Sequence, residues 1–167
     1  MSPRILAACA LLLPLAALAA TLEGCVVKVA DGDTITVLAS NVQHKVRLSG
    51  IDAPEKRQAF GEASRRHLAS LVAGKDVKVE WTNKDRYGRI LGIVWASVPA
   101  DGTEVTPCVD VNLRMIQDGF AWHYSNFDNT QSYADAEAAA RTAKRGLWKD
   151  PSPIPPHEFR KAKRKMV

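Results

Sequence analysis

Val27-Lys28-Val29-Ala30-Asp31-Gly32-Asp33-Thr34-Ile35-Thr36-Val37 is the stretch on which the fold turns. Val27 and Val29 on one side, and Ile35 and Val37 on the other, alternate with polar or small neighbours, the two-residue period of a strand with one buried face. Between them stands Asp31-Gly32, a strong short-range hairpin signal. Two antiparallel strands are expected, and the pattern continues outward from them. Val42, His44, Val46 and Leu48 alternate with Gln43, Lys45 and Arg47 as a third half-buried strand, which Pro54 brings to a stop. From Ala59 to Ala73 the period changes: Phe60, Leu68 and Val72 recur at multiples of four, with Leu71 beside them and Gly74 as a C-terminal cap, so a helix is expected. Val77, Val79 and Trp81 form a fourth strand, Asn83 to Gly88 a polar turn, and Ile90 to Trp95 a fifth strand.

After Trp95 the chain reads as helical. Asp110 can cap a helix carrying Leu113, Met115 and Ile116 and ending at Gly119; a second, alanine-rich helix runs from about Ser132 to Lys144 and ends at Gly146. Pro151, Pro153, Pro155 and Pro156 then argue against regular structure. Five short strands with a helix after the third, followed by terminal helices, predict a mainly β chain with α (α+β). The expected architecture is a five-stranded closed barrel of the oligonucleotide/oligosaccharide-binding type with about three helices.

The 167 residues fit one domain, and 46% apolar residues suffice for a core at that size. Residues 1–19 stand apart. Arg4 precedes an uncharged apolar run, Ile5 to Leu18, that closes on Ala17-Leu18-Ala19, a small-x-small cleavage pattern. The run is short for a membrane span, which takes roughly 20 apolar residues. The expected organisation is a signal peptide over 1–19, a barrel domain over 20–150, and a proline-rich then basic tail over 151–167, with a periplasmic or secreted destination. An uncleaved anchor is the competing reading. Loss of the leader removes Cys9 and leaves Cys25 and Cys108, a candidate disulfide in an exported protein, or else two buried free thiols. The net charge of +5 favours anionic partners without identifying them. The basic cluster after Pro156 suits a phosphate backbone or a membrane headgroup, and equally a solvated, frayed terminus.

The chemistry gathers in Asp31-Gly32-Asp33-Thr34, Arg47 through Asp52-Ala53-Pro54-Glu55, Asp85-Arg86-Tyr87-Gly88-Arg89, and Val111-Asn112 through Trp122. Asp31-Gly32-Asp33 alone reads as a turn, because Asp-Gly supplies left-handed dihedrals; as an EF-hand it fails, since the fifth loop position is Ile35. Asp33 and Asp52 lie at strand ends of one small barrel and can share a hard cation if the fold brings them together. No Cys or His cluster has zinc spacing. His44, His67, His123 and His157 are isolated, which argues against a histidine nuclease or a hydrolase triad.

In this order and at these separations the four clusters closely resemble staphylococcal (micrococcal) nuclease and its secreted bacterial relatives, over roughly residues 24 to 149. The resemblance implies a calcium-dependent endonuclease that hydrolyses DNA and RNA, single strands favoured, to 3′-phosphate products, acting as a monomer. It implies Ca2+ ligands at Asp33, Asp52 and the carbonyl of Ala53. Glu55 is then the holder of the attacking water, and Arg47 and Arg89 the guanidiniums on the phosphate. It further places Arg86, Tyr87 and Tyr124 at the nucleotide. Two other classes compete: a non-catalytic nucleic-acid-binding barrel, in which Glu55 has no chemical task, and an envelope protein binding an anionic polymer through the basic tail.

Overall fold

The structure, a computed structural model, describes residues 20–100 and 104–165; the expected signal peptide over 1–19 lies outside them. The elements in chain order are β1 (Ala20–Val29), β2 (Thr34–Ala39), β3 (Val42–Leu48), β4 (Ile51–Asp52), α1 (Gly61–Val72), β5 (Asp76–Lys84) and β6 (Ile90–Ala100). There follow β7 (Glu104–Asp110), α2 (Val111–Gln117), β8 (Trp122–His123), α3 (Gln131–Thr142), a 3-10 turn at Gly146–Lys149, and α4 (Pro156–Lys165).

The sheet runs β3-β2-β1-β5-β6-β7, and a parallel pairing of β3 with β6 closes its first five strands into a barrel. These five are the strands that the alternation predicts. The core is their inward set, with Ile35, Val37, Val46, Leu48, Val79 and Val94 fully enclosed, sealed at one end by Leu68 and Val72 of α1 and by Met115 and Ile116 of α2. Asp110 caps α2 by accepting from the Leu113 amide at 2.9 Å, and Gly74 and Gly119 take the left-handed conformation just past α1 and α2.

Several local expectations need correcting. A bulge between Val26 and Lys28 shifts the register of β1, so Val26 is buried and Val27 is 47% exposed. Gly32 does not have a positive φ; the tight left-handed pair is Ser40-Asn41, which joins β2 to β3. Gly32 is required by space instead. A Cβ there would stand 2.0 Å from Ser64 Oγ of α1 and 2.7 Å from the Ala53 Cβ. Nor does the chain become wholly helical after Trp95. β7 pairs along β6 and carries Pro107, which a sheet edge tolerates and an inner strand does not.

The tail also differs from expectation, because residues 156–165 are helical. Pro156 occupies the first helical position, where a missing N–H costs nothing. The expected Cys25–Cys108 bridge is absent: both thiols are free, Cys25 half-buried and Cys108 exposed. Strands β5 and β6 lie between β1 and β7. Three strand spacings of about 4.8 Å exceed the roughly 7 Å Cα limit for a disulfide. Folded, unreduced protein should therefore take up maleimide at Cys108, as located by peptide mass spectrometry. Alkylation at Cys25 and Cys108 that appears only after reduction would restore the bridge.

Candidate active site

Asp33 enters the site from the start of β2, where the backbone is locked by Leu48 N donating to its carbonyl at 2.8 Å. Its carboxylate is fully engaged. Oδ1 accepts from Thr34 Oγ1 and from Arg47 Nη1, and Oδ2 accepts from the Ala53 amide at 3.1 Å. Arg47, near the end of β3, uses its other terminal nitrogen on Asp52 Oδ1 at 3.0 Å. One guanidinium therefore spans both carboxylates, which are 4% and 1% exposed. Asp33 and Asp52, 19 positions apart in the chain, are brought together, the condition the sequence left to the fold.

Two devices hold Asp52 in place. β4 pairs with β8, Asp52 opposite Trp122, and the Trp122 ring packs edge-on against Trp148 at 4.3 Å rather than facing a ligand. Asn112, fully buried on α2, donates to the carbonyls of Ser49 and Gly92 and accepts from the Val94 amide, tying the β3–β4 link to β6. Asn112 is thus an internal strut between the β3–β4 link and β6.

The β5–β6 turn supplies the opposite wall. Asp85 accepts from the amides of Tyr87 and Arg89 through Oδ1 and from Arg89 Nε at 2.7 Å through Oδ2. Desolvation opposes its charge, but the bonds from Arg89 and the two amides outweigh it and hold its pKa below the ordinary range. Arg89 is thereby aimed while both terminal nitrogens stay uncommitted to Asp85. Tyr87 is 72% exposed, with the Arg86 guanidinium 5.2 Å from its ring centre, and Tyr124 is half-buried with its amide on the Gly50 carbonyl.

Arg47, Glu55, Arg86, Tyr87, Arg89 and Tyr124 line one cavity of about 340 Å³ together with Asp33 and Ala53, while Asp52 is not among its lining residues. Its lining also includes Pro54, Asp31, and Arg160 and Arg164 of the basic tail, none of which the sequence placed in the active site. Arg160 reaches in from α4. Its Nη1 donates to Asp52 Oδ1 at 3.1 Å and to Glu55 Oε1 at 2.8 Å, and its Nη2 to Asp52 Oδ2 at 2.8 Å. The readable signal was the spacing of Arg160, Lys163 and Arg164, which puts them on one helix face once Pro156 starts the helix instead of ending one.

Burial, and then the charge of Asp33, push Asp31 up from 3.8 to about 6. A group whose pKa rises on folding stabilises the fold below its unfolded pKa, and that contribution is lost as the pH climbs through the folded value. The window is therefore about pH 4 to 6. Asp31→Asn keeps an oxygen for the Asp33 amide and removes the charge. In EDTA its stability relative to the native chain should be higher at pH 7 than at pH 4 by urea melts, and an equal difference at both would show that Asp31 is not strained.

Among the described residues no three His, Cys, Asp or Glu groups are grouped to hold an ion by side chains alone. The donor set nonetheless fits a hard divalent cation completed by water. Asp33 and Asp52 are all-oxygen, buried and adjacent, and such a pair requires positive charge, here given by Arg47 and Arg160.

Comparison with known proteins places this arrangement. The staphylococcal nuclease homologue family matches residues 45–150. The chain belongs to that family. An uncharacterized endonuclease of Escherichia coli is 44% identical over 146 residues, covering 87% of this chain and 90% of that protein. A micrococcal nuclease of Shigella flexneri is 41% identical over 146 residues, covering 86% and 83%. An uncharacterized endonuclease of Haemophilus influenzae is 40% identical over 137 residues, covering 81% and 71%. Within this nuclease-family chain the match runs from β3 to the end of the 3-10 turn, so it takes in Arg47, Asp52, Glu55, Arg89 and Tyr124. Asp33 and all of α4 fall outside it.

Proposed function

We propose that this chain is an exported, calcium-dependent endonuclease that hydrolyses phosphodiester bonds of DNA and RNA by attack of water, leaving 3′-phosphates and 5′-hydroxyls. The observation that carries the reading is the convergence of buried Asp33, half-buried Glu55, Arg47, Arg89, Tyr87 and Tyr124 on one cavity, with buried Asp52 bonded to Arg47 at its edge. Hydrolysis of a phosphodiester needs a positioned nucleophile and compensation for charge on the phosphate oxygens. A calcium ion held by Asp33, Asp52 and the Ala53 carbonyl would supply part of that compensation.

The rest falls to the chain. Arg89, oriented by Asp85, offers a planar two-pronged donor to the phosphate, and Arg47 adds positive charge at the floor of the cavity. Glu55 orients a water and takes its proton; its side chain is 41% exposed, so water reaches it. Tyr87 offers an exposed ring to a base, a contact tolerant of sequence and suited to single strands. No 2′-hydroxyl is consumed, so DNA and RNA both qualify. Among the described residues no helix is long and apolar enough to cross a membrane. The export reading rests on residues 1–19, outside those described.

A labelled oligonucleotide incubated with the protein in calcium, and in parallel with excess EDTA, tests the proposal. Cleavage in calcium alone, with 3′-phosphate ends, is expected. Undiminished cleavage in EDTA would remove the metal, 5′-phosphate ends would overturn the assigned direction of attack, and binding without cleavage would leave a nucleic-acid-binding barrel.

A further inference from the structure

Beyond Glu55 the surface opens into a second cavity of about 710 Å³, lined by Lys56, Arg57, Phe159, Arg160, Lys163 and Arg164. It shares Glu55, Arg160 and Arg164 with the first, so the two cavities adjoin. Its single carboxylate, Glu55, already pairs with Arg160. With Arg160 engaged by Glu55 and Asp52, four further cations, Lys56, Arg57, Lys163 and Arg164, face this concave surface. We propose that α4 is a wall of the substrate cleft, with Lys163 and Arg164 holding phosphates of the strand next to the scissile one.

This rests on the nuclease reading and extends it to a segment outside the family match. Arg160 is the anchor: three hydrogen bonds to Asp52 and Glu55 pin α4 to the active centre. Gln58 Nε2 adds a bond of 2.6 Å to the Ile154 carbonyl, just ahead of the helix. With Arg160 turned inward, helical spacing sets Lys163 and Arg164 on the same face, while Lys161 and Lys165 fall about a quarter-turn or more away. Lys161 and Lys165 are exposed and line neither cavity. Phe159 adds an aromatic ring on which a base can stack.

A membrane surface fits less well. A helix lying in a lipid interface needs an outward apolar stripe, whereas the only large apolar side chain of α4, Phe159, is half-buried in the groove wall.

Two double substitutions that remove the same charge, one inside the groove and one outside it, test the proposal. Native protein, K163A/R164A and K161A/K165A are titrated against a fluorescently labelled oligothymidylate in EDTA over a salt series. On a single strand each phosphate contact contributes about 0.7 to the slope of log K against log salt. K163A/R164A should lower the slope by about 1.4 and weaken binding roughly tenfold at physiological salt. K161A/K165A should stay near native. Equal behaviour of the two doubles would overturn the proposal, and so would loss of binding to phosphatidylglycerol vesicles by K163A/R164A with its oligonucleotide affinity intact. Normal binding by native protein that cuts nothing in calcium would instead sink the nuclease reading and leave α4 as a nucleic-acid wall.

Discussion

Glu55→Gln should lose about 10²–10⁴-fold in turnover at saturating calcium, the usual contribution of a positioned general base. The substitution removes the proton acceptor and keeps the shape. The local fold should survive, because the turn after Glu55 is held by the backbone: its amide donates to Gln58 Oε1 at 3.1 Å, and its carbonyl accepts from the Gln58 amide at 2.8 Å. A glutamine oxygen can also still accept from Arg160. Initial rates on a defined oligonucleotide, beside a thermal melt of the same preparation, separate chemistry from folding. Turnover within about tenfold of native would take the proton transfer away from Glu55.

Arg89→Lys should cost roughly 10²–10³-fold, about 3–4 kcal/mol, by analogy with loss of one oxyanion donor. Arg89 spends Nε on Asp85 and keeps two terminal nitrogens for the phosphate. Lysine retains the charge on a single nitrogen, which cannot satisfy Asp85 and a bidentate phosphate together. The loss should appear in kcat more than in KM, because the phosphate gains charge on these oxygens as the reaction proceeds. Arg47→Lys is a less clean experiment. Arg47 also bridges Asp33 and Asp52, so its replacement should lower stability in EDTA as well as turnover. Near-normal kcat in Arg89→Lys would show that this guanidinium is not on the phosphate.

Many signals that span a few residues agree with the structure, although the bulge in β1, Gly32 and the helix begun by Pro156 do not. The five barrel strands follow the two-residue alternation, Asp110 caps α2, and the glycines after α1 and α2 close those helices. Asp33 and Asp52 were legible as a pair because both sit where a strand ends, on either side of Arg47. Local reading went wrong where a residue's reason was distant. Gly32 reads as a turn glycine, yet it is needed because Ser64 on α1 leaves no room for a Cβ. Trp122, which no local pattern assigns a role, packs on Trp148 and sits in β8 opposite Asp52.

The sequence by itself determined the barrel, the helix ends and the ordered set of acids and arginines, since periodicity, caps and turn residues act over one or two turns of chain. Tertiary structure alone decided the parallel closure of β3 on β6, the separation of Cys25 from Cys108, and the docking of α4. That docking is the clearest case. Arg160 meets Asp52 across 108 positions and Glu55 across 105; helical spacing puts it on one face with Lys163 and Arg164 but does not say what that face meets. Buried Asp52 and neighbouring Glu55, needing countercharge, and a helix started by Pro156, bring it about.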